Sequence, residues 1–253
     1  MLQEMKNTMT IYQTICSKKG KKTKKFAVLI DPDKIKQKQL LNIIELASNN
    51  VVDFFFVGGS LLTDDNLEIT IKTIKEKCNV PVVLFPGNTM QINKNADALL
   101  LLSLISGRNA EMLIGKHVIA APYLKASKLE VIPTGYMLIE SGKPTAALYM
   151  SNSTPIPSDK DDIAVCTAMA GEMLGLKLIY MDAGSGAILT LTENMIAKVK
   201  QNISIPLIVG GGIRTPAKAH DLCSAGADVV VVGNAIEENV RLIENIADAV
   251  HLL

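Results

Sequence analysis

The feature that most restricts the fold of this chain is a set of eight short apolar runs without polar alternation. They are "FAVLIDPDK" at Phe26, "DFFFVGGS" at Asp53, "PVVLFPGN" at Pro81, "ADALLLLS" at Ala96, "GYMLIE" at Gly135, "LKLIYMDAGSG" at Leu176, "IPLIVGGGIR" at Ile205 and "ADVVVVGN" at Ala227. A strand with one wet face alternates apolar and polar residues. A run that stays apolar is expected of a parallel strand buried on both faces. Between the runs lie segments of helical period: 35–48, 63–77, 159–174, 192–201, 215–225 and 235–249. Thr63 with Asn66 reads as a capping box. Thr215-Pro216 reads as a helix start, because Pro suits the first helical position.

Eight strands with crossovers predict an α/β fold, a modified (β/α)8 TIM barrel, over residues 26–253. Residues 1–25 are read as an N-terminal extension or helix. Only residues 87–95 separate the third run from the fourth, too few for a crossover helix, so that third helical connection is expected to be missing or shortened. Residues 141–158 form a long polar stretch, which in a compact domain usually serves as a lid or binding loop.

Composition excludes several classes. A chain of 253 residues that is 48% hydrophobic can build a large core. A net charge of +1 gives no reason to expect nucleic acid. No run reaches the ~20 apolar residues of a membrane span. The four cysteines, Cys16, Cys78, Cys166 and Cys223, lack metal or redox spacing and suit a reducing cytoplasm. The basic run at 17–25 reads first as a solvated approach to the first strand, and second as a contact for an anionic membrane surface or phosphates.

In a barrel, chemistry sits where strands end. After strands seven and eight, Gly210, Gly211 and Gly212, and then Gly233-Asn234, predict a phosphate site built from backbone amides. The first strand ends at Asp31, which suits a Mg2+ ligand. Asp33 and Lys34 follow, and a cap on the next helix is one reading of Asp33. Ser60, after the second strand, offers a metal or diphosphate contact, or a turn hydroxyl. The sixth strand ends in "YMDAGSGA". Gly184 and Gly186 bring amides to a ligand, Ser185 adds a hydroxyl, and Asp182 faces the hydroxyl end of a phosphorylated substrate as acceptor or base. Tyr180 shapes the same pocket. Arg214 either reinforces the phosphate site or pairs at the surface. His117, His220 and His251 have no Ser or Cys partner at a strand end, so a nucleophilic triad is not expected.

Taken in order, "LIDPDK", "VGGS", "YMDAGSGA", "VGGGIR" and "VVGN" resemble the geranylgeranylglyceryl phosphate synthase family, which includes the heptaprenylglyceryl phosphate synthases. The resemblance implies prenyl transfer from a polyprenyl diphosphate to the 3-hydroxyl of sn-glycerol 1-phosphate, with Mg2+ and release of diphosphate. It implies metal contacts at Asp31 and Ser60, and glycerol phosphate binding by Tyr180, Met181, Asp182, Ala183, Gly184, Ser185, Gly186, Gly211, Gly212, Gly233 and Asn234. It also implies a catalytic base at Asp182. The family usually carries Glu there, so the shorter Asp needs a different backbone position or a bridging water. Geranylgeranyl is the expected donor and heptaprenyl the alternative. Tyr123, Tyr136 and Leu138 are candidate linings of the prenyl groove. A homo-oligomer and transient membrane-surface contact are expected. The rival readings are an isomerase of amino-acid biosynthesis and a non-catalytic phosphate- or flavin-binding barrel.

Overall fold

The computed structural model describes residues 9–17, 23–48, 51–64 and 66–253. Eight parallel strands close into a barrel in sequence order: β1 (Lys25–Ile30), β2 (Phe54–Val57), β3 (Val82–Leu84), β4 (Ala98–Leu104), β5 (Glu130–Leu138), β6 (Leu178–Asp182), β7 (Leu207–Gly210) and β8 (Val229–Val232). Pairing of Ala27 with Val231 closes the ring between β1 and β8. Every strand therefore has two neighbours, and no edge is left to pair with another chain.

Strand alternation sorts the side chains. Phe54 and Phe56 point inward with Ala27, Leu100, Ile132, Tyr180 and Ile208, filling the barrel. Phe55 and Val57 point outward and pack under the helices. The non-alternating sequence pattern follows from this double burial.

The helices are α1 (Ile11–Cys16), α2 (Gln37–Ala47), α3 (Leu67–Lys77), α4 (Lys116–Ser127), α5 (Ala146–Ser151), α6 (Asp161–Met173), α7 (Glu193–Asn202), α8 (Pro216–Ala225), α9 (Asn234–Glu238) and α10 (Leu242–His251). Thr10 and Gln13 form a capping box on α1. The Glu130 carboxylate accepts the Ile11 and Tyr12 amides at 2.6 and 2.9 Å, and Ile15 joins the interior cluster. Since Glu130 begins β5, α1 sits at the N-terminal mouth of the barrel. Residues 18–22 of the basic run lie outside the described residues. Lys25 already belongs to β1, and Lys24 donates to the Ala227 carbonyl at 2.8 Å.

Several expectations need correction. Thr63 does not cap α3; the helix begins at Leu67 with Asn66 as N-cap, and no side chain caps it. Asp33 takes Thr63 instead, accepting from its amide and hydroxyl and from the Asp64 amide. Consequently Asp33 does not cap α2, whose N-cap is Lys36. The single helix expected over 235–249 is two helices. The Asn239 side chain accepts the Arg241 amide at 3.2 Å, and such local bonding competes with the helical ladder. The third connection contains only a 3-10 turn, Thr89–Gln91, as its length requires. Neither α4 nor α5 was anticipated. α4 follows a π turn, Glu111–Gly115, carries Pro122 internally, and has no clear apolar stripe to read. The long stretch 141–158 contains α5 and is tied to the barrel by the bridge between Ile139 and Ile156.

Candidate active site

The C-terminal ends of the strands surround one polar cavity. Asp31, Asp33 and Lys34 reach it from β1, and Ser60 from β2. Tyr180, Asp182, Gly184, Ser185 and Gly186 reach it from β6, Gly211, Gly212 and Arg214 from β7, and Gly233 and Asn234 from β8. The acidic group at the first strand and the late glycines thus share one chamber.

The glycines are required by geometry. Gly184, Gly186, Gly211 and Gly212 have φ of +86°, +73°, +88° and +71°, where a side chain is strained. A Cβ on Gly211 would lie 2.7 Å from the Gly184 nitrogen, so the loops after β6 and β7 meet backbone to backbone. The Ser185 hydroxyl donates to Asn234 Oδ1 at 2.9 Å, linking the loops after β6 and β8. The result is a concave set of amides suited to an anion.

Asp182 lies between this cradle and the barrel interior. Its Oδ1 accepts the Gly184 amide at 2.7 Å, and its Oδ2 accepts the Tyr136 hydroxyl at 2.6 Å. Burial raises its pKa above the ordinary value, while the two donors oppose the shift. Burial also holds the Tyr136 phenol well above its usual range, helped by the Asp182 charge. Tyr180 stacks on Phe85 at 5.0 Å, and Tyr136 stands edge-on to both, at 5.6 Å from Tyr180 and 5.8 Å from Phe85.

Two residues of the sixth block face the other way. Met181 and Ala183 alternate with Tyr180 and Asp182 and pack into the layer beneath the helices. Their side chains do not line the cavity, which corrects the expectation that the whole block contacts substrate.

On the β1 side, Lys34 pairs with Asp31 at 2.6 Å. One Asp33 oxygen, Oδ1, is buried without a hydrogen-bond partner. Glu237 is pushed up in pKa, first by burial and also by Asp31, with Lys34 opposing. Arg214 lines the cavity and also reaches Glu238 at 3.7 Å.

A second, apolar cavity adjoins the first. Its wall includes Leu99, Leu101, Met112, Ala120 and Leu124 from β4 to α4, and Met150 from α5. Phe85, Gly59, Ser60, Ala147 and Tyr136 border both cavities. Of the three candidate groove residues, only Tyr136 takes that place. Tyr123 is exposed on the outer side of α4, and Leu138 belongs to the barrel interior. Sequence reasoning missed Gln91. Its buried Oε1 accepts the Gly59 and Gly87 amides at 3.2 Å each, and its Nε2 donates to the Gly59 carbonyl at 2.7 Å. A polar residue inside a connection too short for a helix was the available signal.

Comparison with known proteins agrees with this geometry. The PcrB family profile matches residues 19–250. The geranylgeranylglyceryl phosphate synthase of Chitinophaga pinensis is 55% identical over 241 residues, covering 95% of this chain and 96% of the relative. That of Spirosoma linguale is 52% identical over 227 residues, covering 90% and 91%. Among solved structures, (S)-3-O-geranylgeranylglyceryl phosphate synthase from Thermoplasma acidophilum, in complex with its substrate sn-glycerol-1-phosphate, superposes with a TM-score of 0.90. The two share 34% identity, over 97% of this chain and 100% of the other.

Proposed function

The chain belongs to the PcrB family, and from that premise we propose that it transfers a geranylgeranyl group from its diphosphate to the 3-hydroxyl of sn-glycerol 1-phosphate. The observation that carries the proposal is the junction of an amide-lined polar cavity with an apolar groove, with a carboxylate, Asp182, beside it. A sugar-phosphate isomerase needs the first cavity but not the second.

The glycerol phosphate lies with its phosphate against the amides of Gly186, Gly211, Gly212 and Gly233 and beside the Ser185 hydroxyl. Fixing the phosphate there directs the 3-hydroxyl away from the cradle and toward the junction. The prenyl tail occupies the apolar groove, where each buried CH2 contributes about 0.8 kcal/mol. Its C1 then meets the hydroxyl at the junction, and the displaced proton ends on Asp182. That carboxylate suits the task because burial raises its basicity.

Asp31 and Ser60 would hold Mg2+, and the partnerless Asp33 oxygen lies in the same chamber. The donors are oxygens, and the Lys34 ammonium that pairs with Asp31 at 2.6 Å would have to yield to the ion. Among the described residues no three His, Cys, Asp or Glu side chains form a metal cluster. That composition fits Mg2+, commonly bound by one or two carboxylates with phosphate oxygens completing its shell. When bound, the ion neutralises charge on the departing diphosphate. A chelator should abolish turnover and added Mg2+ restore it; full activity after chelation would refute the metal requirement.

Self-association belongs to the same reading. α4 faces the groove with Ala120 and Leu124 yet leaves Val118, Ile119 and Tyr123 exposed, beside exposed Ile114 of the preceding π turn. A helix apolar on both sides expects a partner, here a second copy. Light scattering should show an oligomer that Val118→Lys weakens.

The deciding experiment supplies sn-glycerol 1-phosphate with prenyl diphosphates of several lengths and identifies products by mass spectrometry. We expect the geranylgeranyl ether. A dominant heptaprenyl product would reassign the donor, and no product with any donor would refute the reaction.

A further inference from the structure

Asp182 is not the group that faces the meeting point of the two cavities. It lines the polar cavity alone, while Tyr136 borders both. The two carboxylate oxygens are already engaged, one by the Gly184 amide and the other by the Tyr136 hydroxyl. Asp182 and Tyr136 are similarly buried, at 7% and 9% exposed, so their positions at the cavities and not their exposure set them apart. A substrate hydroxyl arriving at the junction therefore meets the phenol before the carboxylate.

Tyr136 is also held in place. Its ring is edge-on to Phe85 at an interplanar angle of 71° and edge-on to Tyr180 at 83°. Perpendicular contacts on two sides fix the direction of the C–O bond toward Asp182. Tyr180 cannot substitute. It borders only the polar cavity, and its hydroxyl fills the space above Gly210, 2.6 Å from where a Cβ would stand.

Resting on the prenyl-transfer reading above, we infer that Tyr136 is a catalytic proton relay between the glycerol phosphate 3-hydroxyl and Asp182. The 3-oxygen uses a lone pair to form its bond to C1 of the prenyl donor. The C1–O bond breaks and its electron pair leaves with the diphosphate. The 3-hydroxyl proton passes to Tyr136 Oη as the phenolic proton passes to Asp182 Oδ2. Tyr136 is neutral before and after, and Asp182 finishes as the neutral acid. Both end states suit a buried site, where neutral forms are favoured. Asp182 returns its proton to solvent when product leaves.

The experiment compares wild type with Tyr136→Phe, which keeps the ring and removes only the relay atom. The expected result is a fall in kcat of at least thirtyfold, a KM for sn-glycerol 1-phosphate within about threefold of wild type, and unchanged binding of that ligand by calorimetry. The solvent deuterium effect on wild-type turnover should depend on more than one transferred proton, and in the variant on one. Should Tyr136→Phe fold poorly, 3-fluorotyrosine at position 136 preserves the shape and makes the phenol more acidic; a relay predicts a kcat changed at least threefold. Activity of Tyr136→Phe or of the fluorinated protein within twofold of wild type, with wild type active, overturns the relay alone. A wild type that forms no prenyl ether overturns the parent reaction and the relay with it.

Discussion

Asp182 shows how much one carboxylate depends on its neighbours. Its pKa is raised chiefly by burial, so the ionised form persists less far into acid than for an ordinary Asp. A base must be ionised to act. The acid limb of kcat/KM should therefore have its midpoint above the ordinary Asp value of about 3.9; a midpoint at or below that value would contradict the burial argument. Linkage has a matching sign. A raised folded-state pKa means this contribution to stability is fully present below the ordinary Asp value and lost as pH rises through the folded value. Asp182→Asn should remove that part of the pH dependence in denaturant unfolding. Asp182→Ala should lower kcat by roughly 10²–10⁴-fold, the range for a lost general base; near-normal turnover would exclude the role. Gly211 tests the cradle: Gly211→Ala must adopt φ +88° with a Cβ against the Gly184 nitrogen. We expect weaker glycerol phosphate binding and a stability loss of about 1–3 kcal/mol, read by calorimetry and urea titration.

At the scale of elements, the missing third crossover matters most. Its place is taken by a turn whose anchor is one side chain, Gln91, bonded to Gly59 and Gly87. Gly59 adjoins Ser60, so Gln91 sets the loop that presents the proposed metal or diphosphate contact. Gln91→Leu would strand two buried amides, each costing about 1–3 kcal/mol. The expected outcome is a clearly lower Tm together with a raised KM for the prenyl diphosphate; an unchanged KM would limit Gln91 to stability. The absent helix also leaves room beside β4, where α4 and α5 border the apolar cavity.

Across the whole molecule, the barrel separates stability from chemistry along its axis. The N-terminal mouth is stoppered by α1, through Ile15 and the two amides held by Glu130. The strands' other ends line the cavity of the proposed reaction. Ile15→Ala should therefore lower stability by about 2–5 kcal/mol and leave kcat of the folded enzyme within twofold. A large loss of kcat at constant fold would show that the two ends communicate.

The strands, the missing crossover and the positive-φ glycine loops after β6 and β7 were legible in the sequence because each depends on local chemistry. Unbroken apolar runs demand burial on both faces, nine residues cannot hold a crossover, and glycines in series permit positive φ. The partners of side chains were not legible. Asp33 looked like a helix cap and instead binds Thr63, 30 residues away. Met181 and Ala183 read as part of a binding block, yet strand alternation turns them outward. α4 was invisible because it is apolar on both sides. Above all, Tyr136 and Asp182 are 46 residues apart and meet only because β5 and β6 are neighbours in register. Closure of the barrel decided that contact, since sequence spacing carries no information about which side chains two paired strands bring face to face.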